Sequence, residues 1–499
     1  MAAPSFHRVE ERPSSSREDL FYRRAVILLL GWAVFSFGAV YPWCRIPLTV
    51  AAASLGLAGL LRPRTRGTPR ARMLVAFGAV IAAVSIQLVP LPPAVRMLVS
   101  PRLDPFLADA DFEFALAGPG AAHALSVRPD DTWIAWSCLA SFALLAVGAA
   151  RRMGRRDVRA VAGGVLVLGV LVALEGIIQR ALSPTVIYGF WQPLDGVGAV
   201  FGPFVNRNHF AGWMLMALPL SLGYLADAAG RSPSGIPDWG RHAIAWLASR
   251  DGSRILVIGF GALVMALSLI LTMSRSGMAS IACVVLVAVL AIRVPRAAHI
   301  SRRAVAGYLI VMSAVVLAWV GSDTLWARFN AGDGGGLIGR KGAWIDALTV
   351  VQAFPFTGTG LNTFGHVMHR YQVHNPEMYF REAHNDYLQL AAEGGLLVAI
   401  PVAVLLVIFV SEVRRSFREN GPSTFWIRAG AATGLCAIAL QELVDFSLQI
   451  PANGALCAVL AAIVLHRGSV TVEQATVSAA SAPVSPTRVG TGFRSGSRR

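Results

Sequence analysis

The hydrophobic positions of this 499-residue chain come in long runs separated by short polar stretches. A run of about 20 apolar residues spans a bilayer, where a helix satisfies its own backbone hydrogen bonds. The ten-residue alternation of a membrane β-barrel is absent from the sequence. The pattern therefore predicts an all-α, polytopic transmembrane bundle of about 12 helices. The predicted spans are 24–42, 47–61, 73–91, 133–150, 160–179, 209–227, 254–273, 277–292, 305–321, 387–410, 427–446 and 452–466.

The charge distribution predicts how these spans are oriented. Only 14% of residues are charged, against about a quarter in ordinary soluble domains. The net charge of +16 would suit a nucleic-acid partner, but the basic residues lie between the apolar runs. With the N-terminus in the cytoplasm, 32 of the 44 Lys and Arg fall on the cytoplasmic side and 12 on the other. The positive-inside rule thus explains the charge by topology, and no nucleic-acid partner is predicted.

Polar segments divide the rest of the chain. Residues 1–22 and 468–499 are predicted to be disordered cytoplasmic tails, and residues 23–467 to form the transmembrane domain. Two long segments, 92–131 and 322–386, are predicted on the outer side, and the second is partly helical. A 65-residue loop in a compact protein is uncommon unless it serves a function. The five cysteines show neither metal nor disulfide spacing.

Two arginines stand at outer helix ends with no carboxylate beside them in sequence. Arg207 follows Asn206 in GPFVNRNHFAG, and Arg275 occupies a tight turn in TMSRSGMAS between two apolar helices. Arginine binds phosphate through bidentate hydrogen bonds. Each residue can instead be a structural one, with Arg207 reaching lipid headgroups and Arg275 serving the turn. Together they predict a site for a polyanion such as a diphosphate.

Where the long loop enters a membrane helix, AHNDYLQLAAEGG contains a histidine with possible chemistry. His384 has the side chain most often used as a general base near neutral pH. Asn385 or Asp386 can cap the helix that follows. The alternative is that His384 is simply a polar residue at the membrane interface. His366 and His369 have an i,i+3 spacing, but their Gly-, Thr- and Asn-rich setting does not predict a metal site.

Paired carboxylates occur near the end of the eleventh predicted span. Glu442 and Asp445 are about one helical turn apart in ALQELVDFSLQIPANG. Such a pair at membrane depth can relay protons or hold an arginine. An ion pair with Arg207 or Arg275 is the preferred interpretation of these acids.

Five motifs carry a resemblance to a known family. VNRNHFAG, SRSG, GTGLNTF, AHNDYLQLAAEGG and DFSLQIPAN occur in this order, with the long loop before HND. The set resembles the bacterial O-antigen ligase and O-antigen polymerase family over roughly residues 200–455.

The resemblance implies a GT-C-type membrane glycosyltransferase at the periplasmic face of the bacterial inner membrane. Its donor would be a glycan on undecaprenyl diphosphate, its acceptor a glycan, lipid or protein, and it would work among membrane lipids without a metal or other cofactor. His384 matches the histidine proposed as general base in the ligases. Arg275, Arg207 and Arg340 match arginines proposed to hold the diphosphate, which needs cations as charge develops on it. Asn206, Asn385, Glu442 and Asp445 are assigned supporting roles.

One position departs from the ligase pattern. That pattern has a small or polar residue three positions after the glycine that matches Gly395, whereas this chain has Val398. Ligase and polymerase therefore both stay open. Two other classes stay open as well, a transporter and a non-catalytic polysaccharide assembly protein. A transporter would place charges from several broken helices near the membrane midplane.

Overall fold

The apolar runs fold into helices, which confirms the predicted all-α class, and the computed structural model has no strand in the residues that it describes. Those residues are 17–61, 71–118, 120–193, 199–231, 248–282, 337–419 and 423–466. The helices are α1 (Arg17–Phe35), α2 (Pro42–Leu60), α3 (Ala71–Gln87), α4 (Pro93–Val99), α5 (Leu103–Ala110), α6 (Phe112–Ala117), α7 (Pro129–Arg152), α8 (Arg155–Leu182), α9 (Arg207–Gly230), α10 (Arg250–Leu271), α11 (Leu337–Ala353), α12 (Phe364–Tyr371), α13 (Asp386–Glu419), α14 (Phe425–Gln441) and α15 (Pro451–Leu465).

Six of the described helices are long and apolar enough to cross a membrane, namely α2, α7, α8, α9, α10 and α13. The shorter apolar helices are α3, α14 and α15. Every predicted span within the described residues overlaps one of these nine helices or α1. The predicted span 305–321 and most of 277–292 lie outside the described residues, as do most of the two predicted tails. The first helix begins at Arg17, inside the segment predicted as the N-terminal tail.

The helix α9 is central in the bundle, and α13 is peripheral. Of the most apolar 18 residues in each helix, 78% are buried in α9 and 11% in α13. The neighbours of α9 are α8, α10, α14 and α15. It approaches α14 closely because Gly223 faces Gly430, so that a Cβ on Gly223 would lie 3.2 Å from the Cα of Gly430. Small residues allow such close packing between membrane helices.

Two segments that are far apart in the sequence form a small domain beside the spanning helices. Residues 88–128, with α4–α6, pack on residues 337–385, with α11 and α12, and we call this unit the extramembrane domain. Both segments were predicted on the outer side, but their contact was not. The buried side chains that they share are Leu103, Phe106, Leu107, Phe114, Leu125, Val127, Ala343, Ala347, Val350, Phe354, Phe364, Val367, Met368, Phe380 and Ala383.

The two ends of the bundle differ in character. The site end, as we call it, holds the first turns of α9 and α13 and the segment between α14 and α15. The arginine end holds the basic segments 151–159 and 414–418. At the arginine end, Asp227 accepts from Arg159 at 3.0 Å and from Arg231 at 2.9 Å. The predicted motifs therefore lie at one end of the bundle and the basic segments at the other.

Candidate functional site

The segment 441–449 organises the site end. It contains the last residue of α14, a turn and a short 3-10 helix, Ser447–Gln449, before α15 starts at Pro451. A proline suits the first position of a helix, because the backbone N–H that it lacks would have no intrahelical partner there. The carbonyl of Glu442 accepts from the backbone N–H of Asp386 at 3.0 Å. The carbonyl of Val444 accepts from the guanidinium of Arg340.

Side chains of the same segment bind the two other motifs. The carboxylate of Asp445 is fully buried and accepts from the hydroxyl of Ser276 at 3.4 Å and from the side chain of Asn208. Gln441 and Ser447 donate to the backbone carbonyl of Asn208 at 3.2 and 3.3 Å. The segment 441–449 thus joins the starts of α9 and α13, the SRSG turn and α11.

His384 is held in an uncommon backbone conformation just before α13. Its φ is +52°, in the left-handed region that non-glycine residues rarely adopt. The carbonyl of the preceding Ala383 accepts from the indole of Trp344 at 2.9 Å, and its N–H donates to Gln389 at 2.9 Å. Asn385 caps α13 by accepting from the backbone N–H of Leu388 at 3.0 Å, as predicted. These contacts fix His384, and residues held in strained conformations cluster at functional sites.

The surroundings of the His384 ring keep it neutral. The ring lies edge-on to Phe446 with 4.9 Å between centroids. Its Nδ1 is buried and has no hydrogen-bond partner in the described part of the chain. Burial, and after it the charge of Arg340, lowers the pKa of His384 to about 4. A neutral imidazole has a free lone pair and can accept a proton.

The three predicted arginines come from three segments that meet at 441–449. Arg340, in α11, contacts Val444 directly. Arg275 is followed by Ser276, which binds Asp445. Arg207 is the first residue of α9, two residues before the His209 carbonyl that accepts from Asn453 at 3.0 Å.

The caps and carboxyl groups around these arginines take varied partners. The side chain of Asn206 caps α9 by accepting from the backbone N–H of Asn208 at 2.8 Å. Glu442 is hydrogen-bonded to the carboxyl group of Asp386, and burial together with that charge raises the pKa of Glu442 well above its ordinary value. Two carboxyl groups can bond in this way only if one of them keeps a proton. Burial also raises the pKa of Asp445, and the charge of Arg340 opposes this. The charge of Arg340 therefore acts on Asp445, which the sequence did not predict.

The sequence did not single out two residues of α13 that support His384. Gln389 donates to Glu382 at 2.6 Å, to Glu393 at 3.2 Å and to Gln449 at 3.3 Å. Glu393 accepts from the backbone N–H groups of Asn362 and Phe364 at 2.9 and 2.8 Å, within GTGLNTF. Gln389 and Glu393 are polar residues one turn apart in a spanning helix, which is the signal that could have found them.

The helix α13 is broken at Gly395, and the loop 355–360 packs against the break. Gly395 has φ +54° and ψ −165°, a conformation essentially restricted to glycine. The N–H groups of Leu396 and Leu397 beyond the break donate to the carbonyls of Pro355 and Phe356, at 2.9 and 2.8 Å. The loop therefore satisfies the backbone groups that the break releases. Val398 is buried one turn further on, in a cluster with residues of α3.

Two other histidines of the predicted outer side lie beside carboxyl groups. His366 lies 3.0 Å from Asp131, and His374 lies 2.7 Å from Asp346. Among the described residues, no three His, Cys, Asp or Glu side chains are placed to hold a metal ion. Unlike these, His209 is buried at the site end.

Part of the chain is similar to a known protein family. Residues 260–403 match the family model described as O-antigen ligase. No curated protein matches the chain. The matched segment includes Arg275, Arg340 and His384, whereas Arg207 and the segment 441–449 lie outside it. The match confirms the predicted resemblance, and residues 260–403 of this helical membrane protein are similar to the O-antigen ligase family.

Proposed function

We propose that the protein is a membrane glycosyltransferase that transfers or polymerises glycan from an undecaprenyl-diphosphate donor. The family match supports the general class, an enzyme of O-antigen ligase type. The observation that carries the finer proposal is the position of His384. Its ring is neutral and lies beside Arg340, and its backbone has a fixed, uncommon conformation. The segments that carry the predicted motifs meet at this place.

In the proposed reaction, His384 accepts the proton of an acceptor hydroxyl group. The hydroxyl oxygen attacks the anomeric carbon of the donor as the bond from that carbon to the diphosphate oxygen breaks. The bonding electrons leave with the diphosphate, and the anomeric configuration inverts. Arg207, Arg275 and Arg340 bind the diphosphate and stabilise the charge that develops on it.

Four residues take supporting roles in this proposal. Asn206 and Asn385 cap the helices that carry Arg207 and follow His384. Asp445 accepts from Ser276, beside Arg275. Glu442 bonds Asp386 at the start of α13. Together they hold the cations and the base in one arrangement, and misplacement by about 1 Å can lower a rate about a hundredfold.

We place the enzyme in the bacterial inner membrane as a GT-C-type protein with a periplasmic site end. The support is the separation of the basic segments from the motifs, because cytoplasmic loops are enriched in Lys and Arg. In this arrangement residues 1–22 and 468–499 are cytoplasmic tails, and residues 23–467 form the catalytic domain. The acceptor is a glycan in a polymerase, or a lipid or protein in a ligase.

Replacement of His384 tests the proposal. We expect His384→Ala to lower the transfer rate by about 10²–10⁴-fold at normal protein level, because general-base catalysis contributes about that much. His369→Ala is the matched control, since His369 is an exposed histidine of the same domain. Unchanged surface glycan in the His384 variant would refute the proposal and favour an assembly protein.

The same cells separate ligase from polymerase. Short, unpolymerised lipid-linked glycan would identify a polymerase. Long lipid-linked glycan that never reaches its acceptor would identify a ligase. Loss of lipid-linked glycan from the outer side, with transfer intact in detergent, would instead identify a transporter.

A further inference from the structure

His209 is a buried side chain at the site end that the proposed reaction does not use. It is the third residue of α9 and is 4% exposed. Both ring nitrogens, Nδ1 and Nε2, are buried and have no hydrogen-bond partner in the described chain. An imidazole always carries at least one N–H. Buried polar groups are nearly always paired, so an unpaired one requires an explanation.

The position of His209 points to the reacting groups. Its ring lies edge-on to Phe446 with 4.8 Å between centroids, and His384 lies on the same phenyl ring at 4.9 Å. Phe446 follows Asp445, which binds Ser276 beside Arg275. His209 therefore belongs to the group of side chains that surrounds the proposed base.

The chemistry around His209 selects an anionic ligand. Arg207 is in the same first turn of α9. The first turn of a helix carries a partial positive charge, which favours phosphate groups. A histidine N–H in this turn can donate to a phosphate oxygen without adding a charge that must be desolvated.

We propose that His209 is a further substrate-binding residue, whose ring N–H donates a hydrogen bond to a phosphate oxygen of the lipid-diphosphate donor. This inference rests on the proposed function, because it needs a diphosphate at the site end. In this proposal the ring nitrogens of His209 have a hydrogen-bond partner only when the lipid-diphosphate substrate is bound.

The same helix provides a matched control. Trp213 lies one turn after His209, is fully buried, and has an indole N–H without a partner among the described residues. It differs from His209 in having no ring contact with Phe446. Trp213→Phe therefore removes an unpaired buried N–H from α9 without touching the proposed site.

The test uses the purified full-length protein in detergent. His209→Phe, His209→Ala, His209→Asn, His209→Gln and Trp213→Phe are compared for transfer rate, KM for the lipid-linked donor and melting temperature. Undecaprenyl diphosphate is the probe for a ligand-induced rise in melting temperature. We expect His209→Phe to melt no lower than the parent protein, because it removes an unpaired polar group from an apolar contact.

In contrast, we expect His209→Phe to lower transfer by about tenfold or more, with a higher donor KM and a smaller probe-induced rise. Asn or Gln should transfer at least about fivefold faster than Ala, because either can supply an N–H. Trp213→Phe should keep the probe-induced rise and transfer within about twofold.

Two results would overturn the inference. One is a His209→Phe variant with parental transfer and KM. The other, decisive even if His209→Phe does not fold, is equal transfer by the Asn, Gln and Ala variants. Loss of transfer in His384→Ala with normal transfer in His209→Phe would refute only this inference, whereas normal transfer in His384→Ala would refute the proposed function itself.

Discussion

The two ends of the bundle differ in how their ionisable groups are partnered. At the arginine end, cations meet carboxylates directly, as when Arg159 and Arg231 share Asp227 and Arg152 approaches Asp19 at 3.8 Å. Each of these three arginines has a carboxylate partner. Charged groups used for topology need only to be numerous and to stay near water.

At the site end, burial instead favours the neutral forms of His384 and Glu442. Burial lowers the pKa of His384 to about 4, so His384 is unprotonated at neutral pH, and burial raises the pKa of Glu442 well above its ordinary value. The two ring nitrogens of His209 have no hydrogen-bond partner in the described chain. The site end therefore differs in holding imidazole nitrogens, Nδ1 of His384 and both of His209, that make no hydrogen bond within the described chain. The predictions below test this difference.

The largest expected difference between the ends is in catalysis. Arg340→Gln should lower the transfer rate by about 10²–10³-fold, because it removes a cation beside the developing charge. Arg159→Gln, at the arginine end, should leave the rate within about twofold. Initial rates with a lipid-linked donor measure both. Equal losses in the two variants would mean that the arginines of both ends act through folding alone.

The break in α13 should be the most sensitive point for stability. Gly395→Ala should destabilise the protein by about 3 kcal/mol or more, because a Cβ would lie 2.4 Å from the backbone N of Gly358 in a conformation that alanine avoids. The control is Gly78→Ala in α3, where a Cβ meets nothing within 4 Å. Melting temperatures in detergent compare the two, and a Gly395 variant as stable as the Gly78 variant would contradict the described docking.

The pH dependence of transfer should reflect the low pKa of His384. The base is active when unprotonated, so the rate should fall on the acid side around pH 4, not around the ordinary imidazole value of 6.5. Arg340→Gln should move this fall to higher pH, because the charge of Arg340 contributes to the low pKa. Burial is the larger cause, so the shift should be partial. A pH–rate profile of each protein tests this, and an unchanged midpoint in the variant would separate Arg340 from the base.

The smallest effect is expected for the stability of the arginine end. Arg159→Gln should lower the free energy of unfolding by about 1 kcal/mol, because Asp227 keeps Arg231 as a partner. Asp227→Asn should lower it more, since both arginines then lose their carboxylate. Chemical denaturation in detergent compares the two. A larger loss for Arg159→Gln would show that the two arginines do not share the charge as described.

The sequence predicts the features that are local and leaves out those that depend on distant contacts. The spans are predicted from apolar runs and the cap at Asn385 from its place before a helix, because both are decided by neighbouring residues. The proximity of Arg340 to Val444 and Asp445 could not be foreseen, since α11 and the segment 441–449 are about 100 residues apart. The same holds for Gln87, which is buried and donates to the carbonyls of Thr357 and Glu393 at 2.8 Å.

The shared core of the extramembrane domain also limits how the protein can be made. Phe106 and Val127 are translated more than 200 residues before Val350 and Phe354, which cover them in the finished protein. During synthesis the apolar face of the first segment therefore stays uncovered while later helices enter the membrane. A chain that ends before the second segment would expose this apolar surface to quality-control proteases. The domain that contains His384 can therefore assemble only after its second segment, residues 337–385, has been synthesised.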